Sequence, residues 1–529
     1  MQQLLQKNRA IKYLFLVLGG VLTCLPIVIV KLGFLQWFGM SIASSVILVK
    51  ARDEKVKYVT MYKYGFVYFM SFYLTAFHWF AALYPLSFID GMTKPSAAVV
   101  VAAGWLGLSL LQTVVSAFVP VLIALIARRG LCKKNPLLLP IGAGAVYTIF
   151  EWMQTLTWAG VPWARLAIGQ TGLSAMFKNA SLLGSYFITL LIVVVNFYIA
   201  EFMLADDKLK KKICISAAVL IFAANAALGG VLVLIDGDKT EKVTVAAVQP
   251  NISSQEKWSN EIALTKERMR KYAYEAAKEG AELIVFSETV MPYHAFDSDD
   301  ARRFLSELAK NCNADLLVGC FTYTEGGSQN SLIFVDSEGN IHDEYYSKRH
   351  LVPFGEYVPM RELIMTVIPP LAELSLFGDD LIAGDESVVI QSSVGKIGGL
   401  VCFDSIYEEL ARDNVKNGAE IIAIGTNDSW FYDSAGVKMH NAQAMLRAVE
   451  NGRYVIRAAN TGISSIIDHN GRILDFEEPL VEGIVVADIS ARSQRTLYSY
   501  VGNLIVWLSM AFFVLSFFEF KKPKNIDKI

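Results

Sequence analysis

The stretch VGKIGGLVCFD, residues 394–404, sets the reading of the fold: an apolar, glycine-containing run ends on a cysteine and an acid. A continuous apolar run of this kind reads as a strand covered on both faces. The same texture recurs on either side, in VTVAAVQ (243–249), AELIVFSE (281–288), ADLLVGCFTY (314–323), NSLIFVD (330–336, leading into a Gly-Asn turn at 339–340) and AEIIAIGTND (419–428). Amphipathic stretches at about 260–279, just before 314 and at about 438–452 read as helices, as does 404–416, and two further strands run on to Asp488. Strands alternating with helices predict one α/β domain over residues 240–490, long enough for a single large core.

The rest of the chain has a different composition. Of 529 residues, 54% are hydrophobic and only 19% charged. Soluble domains are nearer a quarter charged, so much of this surface is expected to face lipid. Apolar runs lie at about 11–30, 32–50, 64–84, 97–127, 136–152, 181–204, 212–235 and 499–520. At 1.5 Å rise per residue most are long enough to cross a bilayer, the run at 136–152 being short. The expectation is a membrane domain of seven helices over residues 1–239, then an eighth helix and a cytoplasmic tail over 491–529. The first run follows Lys7, Arg9 and Lys12 without a small-residue cleavage pattern and reads as an uncleaved helix.

Basic residues set the orientation. Clusters at Lys50 to Lys63, Arg128 to Lys134, Lys208 to Lys212 and Lys521 to Lys528 alternate with loops holding little more than Lys31, Lys94, or Arg165 and Lys178. By the positive-inside rule both termini are cytoplasmic and residues 236–498 lie outside. Glu151 and Arg165 are expected near the outer ends of the spans, in an aromatic-rich loop with Trp152 and Trp163 that suits an interfacial belt or a substrate contact. The net charge of -2 gives no reason to expect a nucleic-acid partner. The six cysteines form no CxxC pair and the six histidines have no ligand spacing, so neither a disulfide framework, a metal nor another cofactor is expected.

Three ionisable residues sit where strands end, the usual place for reactive groups in such sheets. Glu288 closes AELIVFSE, Lys348 follows EYYS, and Cys402 closes KIGGLVC. Singly they suit a helix cap, a surface charge and an inert buried thiol. Together they suit nucleophilic catalysis. A thiol needs a base, a carboxylate can accept its proton, and an ammonium can stabilise the negative oxygen formed by attack on a carbonyl. A helix starting at Cys402 would add its dipole in favour of thiolate.

Glu288 in SETVMP, Lys348 in YSKRHLVPFGEYVP and Cys402 in GLVCFD resemble the Glu-Lys-Cys triad of the nitrilase (carbon-nitrogen hydrolase) superfamily. LVPFGEYVP (351–359), QPNISSQEKW (249–258) and EWMQTLTWAGVPW (151–163) are more specifically similar to the apolipoprotein N-acyltransferases. The resemblance covers essentially the whole chain. It implies an αββα sandwich for the soluble domain, on the outer face of a bacterial cytoplasmic (inner) membrane. It implies acyl transfer from a phospholipid to Cys402 as a thioester, then to the N-terminal amine of a diacylglyceryl-modified lipoprotein. Glu356 matches a second glutamate that polarises the site, and Trp258 matches a residue near the acyl chain. Better-known members carry Tyr and Glu after the cysteine where this chain has Phe403 and Asp404, which bears on donor headgroup or acceptor preference. The rival readings are a membrane-tethered amidase using the same triad and a non-catalytic scaffold or transporter. The apolar segment MRELIMTVIPPLAELSLF (360–377) reads as a lid touching the bilayer, against a buried core segment.

Overall fold

The computed structural model describes residues 1–86, 91–238, 241–252, 262–294, 296–367 and 380–518. The chain forms two compact units. One comprises Met1–His78, Ala103–Leu232 and Asn503–Ile529, the other Trp79–Ala102 and Val233–Gly502.

The first unit is helical. Among the described residues, six helices are long and apolar enough to cross a membrane: Arg9–Val28, Val30–Ala51, Lys94–Ala127, Pro136–Met153, Ser185–Leu204 and Lys208–Ile235. The short run at 136–152 is thus one of them. Two of the eight expected spans fall short of that standard. In Tyr58–Ala76, Lys63 and a series of tyrosines hold the hydropathy down, and Leu504–Leu515 has only 12 residues. The interior is also more polar than expected. Glu151 and Arg165 are both buried, as is Trp163. Glu151 tolerates this because its carboxylate accepts from the Leu166 amide at 2.9 Å and from Thr189 Oγ1 at 2.6 Å. Arg165 donates to Ser185 Oγ at 3.2 Å, with its guanidinium 5.0 Å from the Tyr186 ring centre. Such pairing is what lets charge persist away from water.

The second unit is built on two sheets. The first contains β1 (Val243–Gln249), β2 (Leu283–Val285), β3 (Met291–His294), β4 (Asp315–Thr324), β5 (Gly327–Val335), β6 (Ile341–Ser347) and, later in sequence, β13 (Gly483–Ile489). The second contains β7 (Val389–Ser392), β8 (Gly395–Val401), β9 (Ile421–Thr426), β10 (Tyr454–Ala459), β11 (Ser465–Ile467) and β12 (Ile473–Phe476). Their strand orders are β13-β1-β2-β4-β5-β6, with β3 on β4, and β12-β11-β10-β9-β8-β7. The central pairs β1–β2, β2–β4, β8–β9 and β9–β10 are parallel. Parallel strands demand helical crossovers, which cover the outer faces.

Those crossovers complete the layers. Helices Ile262–Lys278 and Asp299–Cys312 pack Met269, Tyr272, Leu305 and Leu308 onto the first sheet in one core with Ile284 and Leu316. Helices Glu408–Lys416 and Ala435–Asn451 cover the second sheet. The sheets face each other, β1 against β10 and β5 against β8. β2 and β9 are buried along their whole length, as strands covered on both faces must be. The result is a nitrilase-like α/β sandwich in four layers. The expected helix at 404–416 differs in detail. Cys402–Ile406 is a 3-10 turn and the α-helix starts only at Glu408, so Cys402 does not sit at an α-helix N-terminus.

Candidate active site

Glu288 lies three residues past β2, Lys348 directly after β6 and Cys402 directly after β8. The fold brings all three together. Lys348 Nζ donates to Glu288 Oε1 at 3.1 Å and to Glu356 Oε1 at 2.8 Å, all three side chains being almost wholly buried. Asn330 Nδ2 donates to the same two carboxylates, at 2.7 Å and 3.3 Å. The outer oxygens are held by backbone: Asn427 N–H donates to Glu288 Oε2 and Val352 N–H to Glu356 Oε2, each at 2.8 Å. A buried ammonium between two carboxylates, with the remaining lone pairs satisfied, is the arrangement in which buried charge survives.

Cys402 is the one cysteine of the six that is not fully buried. The desolvated setting of its thiol, reinforced by the Glu288 carboxylate, pushes the thiol well above its ordinary range, while the Lys348 ammonium pulls it back. This reverses the expected dipole effect: no α-helix starts at the cysteine, and desolvation wins. A thiol raised in this way needs a base nearby to act as a nucleophile. Burial works against the charge on Lys348, but Glu288, Glu356 and Cys402 outweigh it and raise the ammonium well above its usual value. Burial raises the Glu356 carboxyl, with Lys348 opposing and Glu288 adding to it.

Backbone strain gathers at the same place. Cys402 has φ +48°, Thr289 next to Glu288 has +43°, and Phe354, two residues before Glu356, has +63°. Left-handed conformations of residues other than glycine cost about 1–3 kcal/mol each and persist where surroundings enforce them. At Gly319 on β4 the reason for glycine is contact: a Cβ there would lie 2.3 Å from Ser287 O and 2.8 Å from Glu288 Cα.

Asp404 is fully buried and points into the frame. Its oxygens accept from Tyr346 OH at 2.9 Å, Val401 N–H at 3.1 Å, Arg349 N–H at 3.2 Å and His350 N–H at 2.8 Å, tying the end of β8 to the Lys348 loop. Phe403 is half-buried, its ring 5.4 Å from Tyr407, which stacks on His350 at 3.9 Å. Trp258 and most of the 360–377 segment lie outside the described residues; of the rest, Met360, Leu363 and Met365 are exposed.

Sequence reading missed four participants: Asn330, Asp428, His440 and Arg457. Asp428 ends the strand run AEIIAIGTND, the same signal that marked Glu288 and Cys402. His440 lies inside a helix and Asn330 inside the NSLIFVD strand run, where no local pattern distinguishes them. Donor atoms of Cys402, Asp428 and His440 fall within 4.8 Å of one another, a spacing that would admit a metal ion. Arg457 argues against one. Its guanidinium lies 2.6 Å from Asp428 Oδ2 and 3.1 Å from His440 Nδ1, already supplying the positive charge.

Two family models match the chain. The carbon-nitrogen hydrolase model matches residues 244–498, and the apolipoprotein N-acyltransferase N-terminal domain model matches residues 19–198. The apolipoprotein N-acyltransferase of Geobacter metallireducens is 27% identical over 510 residues, covering 94% of this chain and 93% of its own length. That of Allorhizobium ampelinum is 30% identical over 351 residues, covering 64% and 65%. Among solved structures, Saccharomyces cerevisiae Nit3, a member of branch 10 of the nitrilase superfamily, is 21% identical with a TM-score of 0.38, covering 51% of this chain and 94% of its own. Two models in succession and a relative matched over almost its whole length show one membership: the chain belongs to the apolipoprotein N-acyltransferases of the carbon-nitrogen hydrolase superfamily.

Proposed function

We propose that the protein moves a fatty acyl chain from a membrane phospholipid to the N-terminal amine of a diacylglyceryl-modified bacterial lipoprotein, by way of a thioester on Cys402. The observation that carries this reading is the buried cluster of Glu288 and Lys348 beside the Cys402 thiol. In the first half-reaction Glu288 accepts the Cys402 proton as sulfur attacks the donor ester carbonyl. Lys348 stabilises the oxygen that becomes negative. The ester C–O bond then breaks, the departing lysophospholipid alkoxide takes the proton from Glu288, and the acyl group stays on sulfur. In the second half the lipoprotein amine attacks the thioester, an amide forms, the C–S bond breaks, and the amine proton returns to sulfur through Glu288. Glu356 holds Lys348 in place. Phe403 and Asp404 support the acyl and headgroup sites.

The same reading makes the chain a multi-pass protein of a bacterial cytoplasmic membrane. It has eight spans, a membrane domain over residues 1–239 and a catalytic domain over 240–490 on the outer face. A last span and a cytoplasmic tail complete it. Support comes from the apolar helices and the alternation of basic loops.

The test is mass spectrometry of the purified protein after incubation with phospholipid alone. One acyl adduct on the Cys402 peptide, discharged onto an added diacylglyceryl lipopeptide, is expected. Free fatty acid with no amide product would replace this reading with an amidase-like hydrolase. A Cys402→Ala variant should form neither adduct nor product, and substantial N-acylation by that variant would remove Cys402 from the mechanism.

A further inference from the structure

His440 stands directly behind the thiol residue. It is carried on helix Ala435–Asn451 and is almost completely buried. Its Nε2 lies 3.2 Å from the carbonyl oxygen of Cys402 and 3.0 Å from Ser405 Oγ, while Nδ1 lies 2.8 Å from Asp428 Oδ1. A carbonyl oxygen and a carboxylate oxygen only accept, so Nε2–H donates to the Cys402 carbonyl and Nδ1–H to Asp428. Ser405 Oγ donates to the same carbonyl at 2.7 Å, which leaves its own lone pairs free to accept from His440.

The ring is fixed from behind. Asp428 accepts from Arg457 Nη2 at 2.6 Å and Thr426 Oγ1 at 3.1 Å, and Arg457 also donates to the Ile463 carbonyl. Arg457 and His440 hold the Asp428 carboxyl far below its ordinary range in spite of burial. Gly462 belongs to this frame, since a Cβ there would fall 2.2 Å from Asp428 Oδ2. A hydrogen-bonded chain thus runs Arg457–Asp428–His440 and ends on the backbone of the residue held at φ +48°. A cysteine relaxes from that conformation unless its peptide is held. Both ligands of its carbonyl oxygen, Ser405 and His440, are held in the same network.

We propose that His440 is a positioning residue for acyl transfer. Its Nε2–H pins the Cys402 carbonyl and keeps the thiol in the strained pose beside Glu288 and Lys348. The proposal rests on Cys402 being the nucleophile. It differs from a cysteine–histidine base pair, in which Nε2 would offer the sulfur a lone pair; here Nε2 spends its proton on a backbone oxygen and Glu288 remains the base.

The experiment uses the full-length protein in phospholipid-containing micelles with His440→Met and His440→Gln. Glutamine places an amide nitrogen where Nε2 stood and keeps the donor, whereas methionine removes it. Four quantities are measured: the rate of Cys402 acylation, KM for phospholipid, the pH profile, and alkylation of Cys402 by iodoacetamide. His440→Met should acylate about tenfold or more slowly with KM unchanged, roughly the worth of one lost buried hydrogen bond. His440→Gln should recover most of the rate with the wild-type pH profile. Equal losses in both variants with a displaced pH profile would overturn the proposal in favour of a proton-carrying histidine. A wild-type rate in His440→Met would overturn it outright. If His440→Met does not fold, judged by its melting curve, His440→Gln decides alone: recovery supports the proposal and loss overturns it. Should wild-type protein form no thioester, the nucleophile reading fails instead. The alkylation rates then show whether His440 governs the thiol, slowed alkylation in His440→Met supporting the proposal and unchanged alkylation overturning it.

Discussion

Lys348 carries the electrostatics of the site at the scale of single residues. Its neighbours include Glu288, Glu356 and Cys402, and its ammonium bridges the two carboxylates. Lys348→Met should lower acyl transfer by more than about tenfold, since fixed charge at a developing oxyanion is typically worth several kcal/mol. A loss below that, measured as kcat/KM for phospholipid, would make Lys348 structural. The substitution also leaves the buried Glu356 carboxyl facing Glu288 without its ammonium, so protonation of Glu356 becomes more favourable. The sign follows from that. Glu356 is already raised by burial and by Glu288 with Lys348 opposing, and removal of Lys348 raises it further. The folded variant therefore binds protons more tightly than the unfolded chain and is destabilised most at high pH. Its melting temperature should fall furthest below wild type near pH 8 and recover toward pH 5, the direction in which Glu356 protonates. A gap that stays constant with pH would mean the carboxylates are relieved in some other way.

At the scale of elements, the site depends on strands passing closely enough for their ends to converge. Gly319 lets β4 run against the backbone at Ser287 and Glu288. Gly319→Ala places a methyl where backbone atoms already stand, and backbone cannot swing aside as a side-chain tip can. The expected outcome is a displaced Glu288 and acyl transfer reduced about tenfold or more, with modest destabilisation of about 1–3 kcal/mol, the usual range for overpacking. Unchanged transfer, assayed alongside the melting temperature, would show that the loop after β2 yields freely. Asp404 does the complementary work by tying the end of β8 to the start of the Lys348 loop through four donors. Its side chain is a clamp between the two elements.

For the whole molecule, the proposed orientation of residues 240–490 rests on the charge of the loops. The proposed orientation puts the basic clusters at Lys50 to Lys63 and Arg128 to Lys134 on the cytoplasmic side and the proposed lipoprotein acceptor on the other. Single cysteines introduced at Lys57 and Leu480 of a cysteine-depleted variant test this with an impermeant maleimide. Labelling at 480 and not at 57 in intact cells is expected. The opposite pattern would invert the topology and remove the lipoprotein acceptor with it.

Sequence alone determined the division into an apolar helical part and an α/β part, because hydropathy and periodicity are local properties that survive without knowledge of neighbours. It also marked Glu288, Lys348 and Cys402, since each falls at the end of a strand run where chain direction changes. The count of spans was less legible. Tyr58–Ala76 and Leu504–Leu515 are helical but do not meet the length and apolarity of the other six, and the buried Glu151 and Arg165 find partners far along the chain. Only the tertiary structure decided the electrostatic state of the thiol. Sequence suggested a helix dipole favouring thiolate, whereas the fold desolvates the sulfur beside a carboxylate and starts the α-helix six residues later. Only the tertiary structure, too, joined Asn330, Asp428, His440 and Arg457 to the site. Their roles come from hydrogen bonds between residues of separate elements, such as the 38 positions separating Cys402 from His440, and no local pattern in a chain encodes a contact of that kind.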